Sequence, residues 1–412
     1  WIGYSDFCNR VKNGWLFSRH YITSSQLRLS TLGAEQMQVY QPDTLLLVTR
    51  SGILRHTLPI AILKECATVN QDLKAIVLHM PELAEYIYAC LKGMESQLLL
   101  KYTKSGTTVE NVNFDEFQRV LLPIAPLHEA RRIIAATNDA TQVVTAIEND
   151  KVALAEYVAK TKDKILDLAI HGQLVPQDSA DEPAYVLLER IRAEKKELVK
   201  QGIIKQDKRE SGIFLGEDNS YYLQTGNLIE SLSDWGFDDL PDSWAICCLG
   251  EICDYGNCIN VETDSIDDDA WMLDLEDIEK DTGKVLVRVK KRDRNAASTK
   301  HQFHAGQVLY SKLRPYLNKV VLADQDGFCT SEILPLEFEC IVVPEYARYY
   351  LMSPAFLRYA NHCSYGVKMP RLGTADGKKA IVPLPPYKEQ ERIVKAVHKT
   401  FALLDSIAES LS

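Results

Sequence analysis

LLPIAPLHEARRI, residues 121–133, returns 260 residues later as IVPLPPYKEQERI, residues 381–393, with Pro123, Pro126, Glu129, Arg132 and Ile133 recurring as Pro383, Pro386, Glu389, Arg392 and Ile393. Gly106 and Gly366 keep the same offset. Upstream, DTLLLVTRSG from Asp43 parallels GQVLYSKLRP from Gly306, and PELAEYIYACL from Pro81 parallels PEYARYYLMSP from Pro344, both at an offset of 263. A period this long makes the chain a tandem duplication, so the architecture of one copy constrains the other. Each copy begins with a short apolar run, Leu45 to Thr49 or Val308 to Ser311, which predicts a strand followed by a turn at Gly52 or Pro315. A second strand follows, Pro81 or Pro344 opens a helix, and the proline-punctuated segment leads into a long helix.

The long helix carries the strongest periodic signal. Stepping by four and three from Ile133 gives Thr137, Ala140, Val144, Ile147, Lys151, Leu154, Val158, Thr161, Ile165 and Leu168. The second copy gives Ile393, Val397, Thr400, Leu404, Ile407 and Leu411 in the same phase. An apolar seam at this period needs a partner helix, and the other copy supplies one. The expected fold is therefore α+β: two tandem repeated domains joined by long helices that form an antiparallel coiled coil. Its seam residues would be Ile133, Val144, Ile147, Leu154 and Val158 against Ile393, Val397, Leu404 and Ile407.

The domain order reads as a first repeat domain over 1–126, the first long helix over 127–171, a connector over 172–235, a second repeat domain over 236–384 and the second long helix over 385–412. Gly172 and Pro176 close the first helix, and a charged helix follows from about Pro183 to Gly202. Ile203 to Asp234, polar and rich in Gly, Ser and Asn, reads as a linker. Trp1 aligns near Trp271, whereas the second copy begins near Trp244, so the first copy lacks roughly thirty residues by repeat alignment. Both termini read as truncated.

Composition sets outer bounds. A chain of 412 residues with 46% hydrophobic and 25% charged residues is globular and long enough for two or three domains. No membrane span or secretory signal is visible, which predicts a cytoplasmic protein. The ten cysteines lack the paired spacing of a zinc site, so no metal is expected. The net charge of −10 hides a segregated distribution. Residues 251–283 carry twelve acidic residues against Lys280 alone, and residues 284–320 carry ten Lys and Arg against Asp293 alone. Such a pattern fits a basic patch that meets phosphates, or two oppositely charged strands that pair with each other. Charge alone does not separate the two.

The proline and glutamate stretches, the segment KILDLAIHGQLVPQD followed by DEPAYVLLERIRAEKKELVKQG, and GQVLYSKLRPYLNKVV together resemble the specificity subunits of type I restriction-modification systems. The resemblance covers nearly the whole chain, although HEARRI departs from the family's glutamate-glutamine spacing at Ala130. It implies a non-catalytic subunit with two target recognition domains, each reading half of a split, asymmetric sequence in double-stranded DNA. The paired helices would act as a ruler. A helix of 40 to 45 residues spans roughly 60 to 68 Å, about two duplex turns. The implied partners are two modification subunits, which bind S-adenosylmethionine, and restriction subunits, which use ATP and Mg; this chain would hold no cofactor itself. A specificity subunit of a modification-only assembly and the recognition part of a fused restriction-methylation enzyme are the alternatives.

Two fragments imitate catalytic motifs. LPPY, residues 384–387, places Leu where adenine methyltransferases need a polar first residue to bond the target amino group, and no glycine-rich cofactor loop accompanies it. GTADGKK, residues 373–379, is one residue short of a phosphate loop and ends in Lys instead of Ser or Thr. DNA contact is the chemistry that remains. Arg50, Arg55 and His56 follow the first-copy strand; Lys312, Arg314 and Tyr316 occupy the corresponding second-copy turn. Lys290, Lys291, Arg292 and Arg294 form a basic run, and Lys368 and Arg371 lie after Gly366. Arg suits base reading because its fork matches guanine, whereas Lys holds phosphate as a point charge.

Overall fold

The computed structural model describes residues 21–24, 30, 36–104, 110–201, 211–216, 220–237, 239–294 and 298–410. Contacts divide the chain into two units, 1–153 and 154–412. In the first, β1 (Tyr21–Ile22), β2 (Leu45–Val48), β3 (Ile60–Leu63) and β4 (Leu73–Ile76) form a sheet in the order β1-β3-β2-β4. All four residues of β2 are buried because the strand feeds two cores. Leu45 and Leu47 pack with Leu54, Ile60 and Ile62, while Leu46 and Val48 pack with Ile22, Ala61 and Leu63 on the other face. That two-sided burial explains a continuous apolar run in place of alternation. Helix α1 (Ala84–Gly93) closes the first of these cores with Tyr86, Ile87 and Leu91, and α2 (Leu127–Ile170) follows, docked through Ala130.

The second unit opens with the remainder of α2, then α3 (Ala184–Lys200). The segment expected to be a linker is instead structured where it is described. Strands β5 (Ser211–Leu215), β6 (Tyr221–Thr225) and β7 (Leu228–Ser231) form an antiparallel meander. The physical reason lies in YYLQTGNLIES. Gly226 at positive φ turns β6 into β7, and Leu223 and Leu232 are buried in the main core. After β8 (Ala245–Cys248) come β9 (Ile259–Val261), β10 (Trp271–Leu273), β11 (Val289–Lys290), β12 (Lys300–Phe303), β13 (Val308–Ser311), β14 (Val320–Leu322), β15 (Gly327–Thr330) and β16 (Ile333–Leu336). Helices α4 (Pro344–Met352) and α5 (Pro354–Cys363) precede β17 (Ile381–Leu384) and α6 (Tyr387–Glu409). Burial pushes the Cys247 and Cys253 thiols up, which keeps them protonated members of this core.

The duplication is preserved in strand register. Leu45 to Val48 pair with Ile76 to Leu73, and Val308 to Ser311 pair with Leu336 to Ile333 in the same order. Leu45 opposes Ile62 as Val308 opposes Leu322. The first strand of each copy is therefore offset by 263 residues, but everything after the turn is offset by 260, because that turn is three residues shorter in the second copy. This corrects the alignment of Pro81 with Pro344. Tyr86 Oη donates to the Pro123 carbonyl at 2.9 Å and Tyr346 Oη to the Pro383 carbonyl at 2.6 Å, so α1 and α4 also match at 260. The shared Pro-Glu pair is out of step with the buried faces.

Across the second unit, the two long helices pair in antiparallel fashion. Lys162 of α2 meets Asp405 near the end of α6 at 2.5 Å, whereas Gln177, just past the end of α2, meets Glu389 in the first turn of α6 at 2.6 Å, so the two helices run in opposite directions. Val158, Ile165, Ile393 and Val397 are buried, and Leu154 and Leu404 are half-buried. The rest of the expected seam is not covered: Ile133, Val144, Ile147 and Ile407 are exposed, and Leu411 lies outside the described residues. Helix α6 ends one turn past Asp405, so its cover of α2 stops near Val158.

Candidate nucleic-acid interface

In each copy the turn after the central strand is tied to a later segment by the same three backbone hydrogen bonds. In the first, Thr49 N–H donates to the Asp72 carbonyl at 2.9 Å, Ser51 N–H to Glu110 at 3.0 Å and Val112 N–H to Thr49 at 2.8 Å. In the second, Lys312 N–H donates to Glu332 at 3.0 Å, Arg314 N–H to Pro370 at 2.7 Å and Leu372 N–H to Lys312 at 3.0 Å. Arg50 bridges Asn111 as Leu313 bridges Arg371. The fold thus joins two segments that sequence reasoning had singled out separately, Lys312 to Tyr316 and Lys368 to Arg371. Of the counterpart of the second segment in the first copy, 108–111, residues 108 and 109 lie outside the described residues.

The shorter second turn bends through two residues in the left-handed region, Arg314 at φ 51° and Asn318 at φ 48°. Neither is glycine, and such conformations persist only where surroundings hold them. Here the holding contacts are Arg314 N–H on Pro370, and Asn318 Nδ2, which donates to the Met352 carbonyl at 3.1 Å. The Arg314 guanidinium has a buried Nε without a hydrogen-bond partner. Arg371 is held differently: Nη2 and Nε donate to the two oxygens of Glu332 at 2.8 and 3.0 Å, and that fork keeps the Glu332 carboxyl below the usual range. Lys368 and Tyr316 are exposed, and Lys312 is half-buried.

The other candidates divide by their partners. Arg50 and His56 are exposed, whereas Arg55 pairs with Glu110 at 2.9 Å. The basic run is taken up by the acidic one. Lys290 and Arg292 meet Asp269 at 2.8 and 3.0 Å, Lys291 meets Asp268 at 3.1 Å and Arg294 meets Asp277 at 2.7 Å. Strand β11 runs antiparallel to β10, Trp271 opposite Lys290, which brings the two charge blocks together. Of the two readings of segregated charge, the fold realises strand pairing. Sequence reasoning missed the supports of the turns. Glu95 in the first unit accepts from Lys92 Nζ at 2.5 Å, from Thr57 Oγ1 at 2.6 Å and from Leu58 N–H, so it closes the end of the Arg50 to Pro59 turn. Burial raises its carboxyl, but these bonds outweigh burial and hold it below the usual range.

Residues 241–411, which carry the second of the two strand-anchored turns, match the family described as type I restriction modification DNA specificity domain. The chain is similar to type I restriction enzyme specificity subunits. It is 25% identical over 193 residues to the type I restriction enzyme EcoDI specificity subunit of Escherichia coli, covering 47% of this chain and 43% of that one. It is 28% identical over 263 residues to the EcoAI specificity subunit of Escherichia coli, covering 61% and 41%. The chain thus spans about two-fifths of the length of these curated relatives. A chain from a solved type I R-M system shares the fold with a TM-score of 0.52 at 15% identity, covering 91% of this chain and 78% of that one.

Proposed function

We propose that this chain reads double-stranded DNA as the non-catalytic specificity subunit of a type I restriction-modification enzyme, each unit contacting one half of a bipartite, asymmetric target. The observation that carries the reading is the recurrence, bond for bond, of a strand-anchored turn that presents Arg50 in one copy and Lys312 and Arg314 in the other. Equivalent scaffolds carrying different side chains suit two different half-sites, since backbone contacts position a protein and side chains on base edges specify. Arg314 is the favoured base reader, and Lys312 and Lys368 the phosphate contacts. The antiparallel helices would fix the spacing between half-sites and seat two modification subunits, which hold S-adenosylmethionine; restriction subunits would add ATP- and Mg-dependent cleavage. No helix among the described residues is long and apolar enough to cross a membrane, and a cytoplasmic setting follows from the proposed substrate.

The test is to map methylated adenines in DNA modified by this chain with its modification subunits, and to repeat the map after replacing 236–384 with the same region of a relative. One half of the target changes and the other stays. A map in which both halves survive the exchange refutes the reading.

A further inference from the structure

Four large side chains stand exposed on the two joined segments of the second unit: Tyr316 at 49%, Tyr365 at 62%, Val367 at 101% and Met369 at 50%. They do not sit on a loose loop. Tyr365 and Arg371 exchange both backbone hydrogen bonds, at 3.1 and 2.9 Å, and so close a hairpin. Gly366 turns it at φ 99°, where a Cβ would meet the Met369 carbonyl at 3.1 Å. The Arg371–Glu332 fork fixes its base, and Arg314 N–H ties it to the neighbouring turn. Exposing Val and Met on a rigid tip forfeits burial, so such a tip is retained for a surface that receives it. Charge says which surface. Lys368 lies between the two apolar tip residues, Lys312 and Arg314 lie at the base, and Glu332 is already neutralised by Arg371.

We infer that the 365–371 hairpin is a wedge: Val367 and Met369 enter between two stacked base pairs of the duplex while Lys368, Lys312 and Arg314 hold the flanking phosphates and base edges. Apolar side chains used in this way unstack a step and kink DNA, and nearby cations offset the cost. The inference rests on the proposed DNA-reading function.

The experiment uses the full chain with its modification subunits and duplexes carrying the methylation-mapped target, intact or with a single mismatch placed in turn at each step of the second half-site. At one step the mismatch removes the unstacking cost and strengthens wild-type binding about tenfold, and 2-aminopurine beside that step brightens on binding. The V367S/M369S variant, altered only at exposed positions, loses both the mismatch gain and the brightening while still binding. A variant that keeps both effects, or a wild type insensitive to every mismatch, overturns the wedge and leaves DNA reading intact. A wild type that binds no duplex overturns both.

Discussion

At the residue scale, Arg314 and Glu95 show how each turn is held in a shape that its own sequence does not favour. Arg314 sits at positive φ with an unpaired buried Nε. Arg314→Gly separates backbone from side chain, because glycine takes that conformation without a Cβ clash. The thermal midpoint is expected to stay in place. DNA affinity falls about tenfold or more, the loss of one bidentate base contact at ~1–3 kcal/mol, as an anisotropy titration would read. A matching fall in stability would mean that the guanidinium is a structural brace. Glu95 makes a pH prediction. Its carboxyl is lowered in the fold, so its stabilisation is present above the unfolded value of about 4.3 and is lost as pH falls through the folded one. Glu95→Gln should be less stable than the parent by about 1–2 kcal/mol at pH 7, with the gap closing toward pH 3; urea unfolding at both values measures it.

At the element scale, the two copies reach one geometry by different local means, and position 130/390 shows it. Gln390 is fully buried; its amide donates to the Ile341 and Pro385 carbonyls at 3.0 and 2.9 Å and accepts from Val343 N–H at 2.7 Å, which caps α4. Ala130 stands at the matching place. There a 3-10 turn, Pro81–Leu83, precedes α1, and Leu83 N–H donates to the Met80 carbonyl at 3.1 Å, so no side chain is needed. Gln390→Ala therefore leaves one buried donor and two buried carbonyls unmet. It should cost about 1–3 kcal/mol or more, visible as a lowered midpoint in denaturant, while any exposed residue of α6 tolerates Ala. The same substitution pattern explains what was legible beforehand. The strand, the turn, the proline segment and the long helices could be read because each has a local signature. The three-residue slip at Pro81, the strands of YYLQTGNLIES and the pairing of Asp269 with Lys290 and Arg292 could not, because contacts distant in sequence decide them. Of the candidate interface, the two turns were legible, but the hydrogen bonds joining them to 110–112 and 370–372 were not.

At the scale of the whole chain, duplication with unequal turns implies that the halves can be altered independently. The turn linking the first two paired strands runs from Thr49 to Pro59 in the first unit and from Lys312 to Lys319 in the second, and among the described residues the backbone hydrogen bonds given above anchor each to segments of its own unit. Lys312→Ala with Lys368→Ala should therefore weaken binding to all sequences alike and reduce the steepness of its salt dependence by about one unit for each phosphate that is no longer neutralised. Arg50→Ala and Arg314→Ala differ in kind. If each unit reads its own half-site, Arg314→Ala relaxes the methylation-mapped target at a position in the second half alone, and Arg50→Ala does so in the first half alone, with the gap between halves unchanged. Sequencing the methylated sites of both variants decides the matter. Relaxation in both halves by either substitution would show that the units act through a shared DNA distortion, and independent reading would have to be given up.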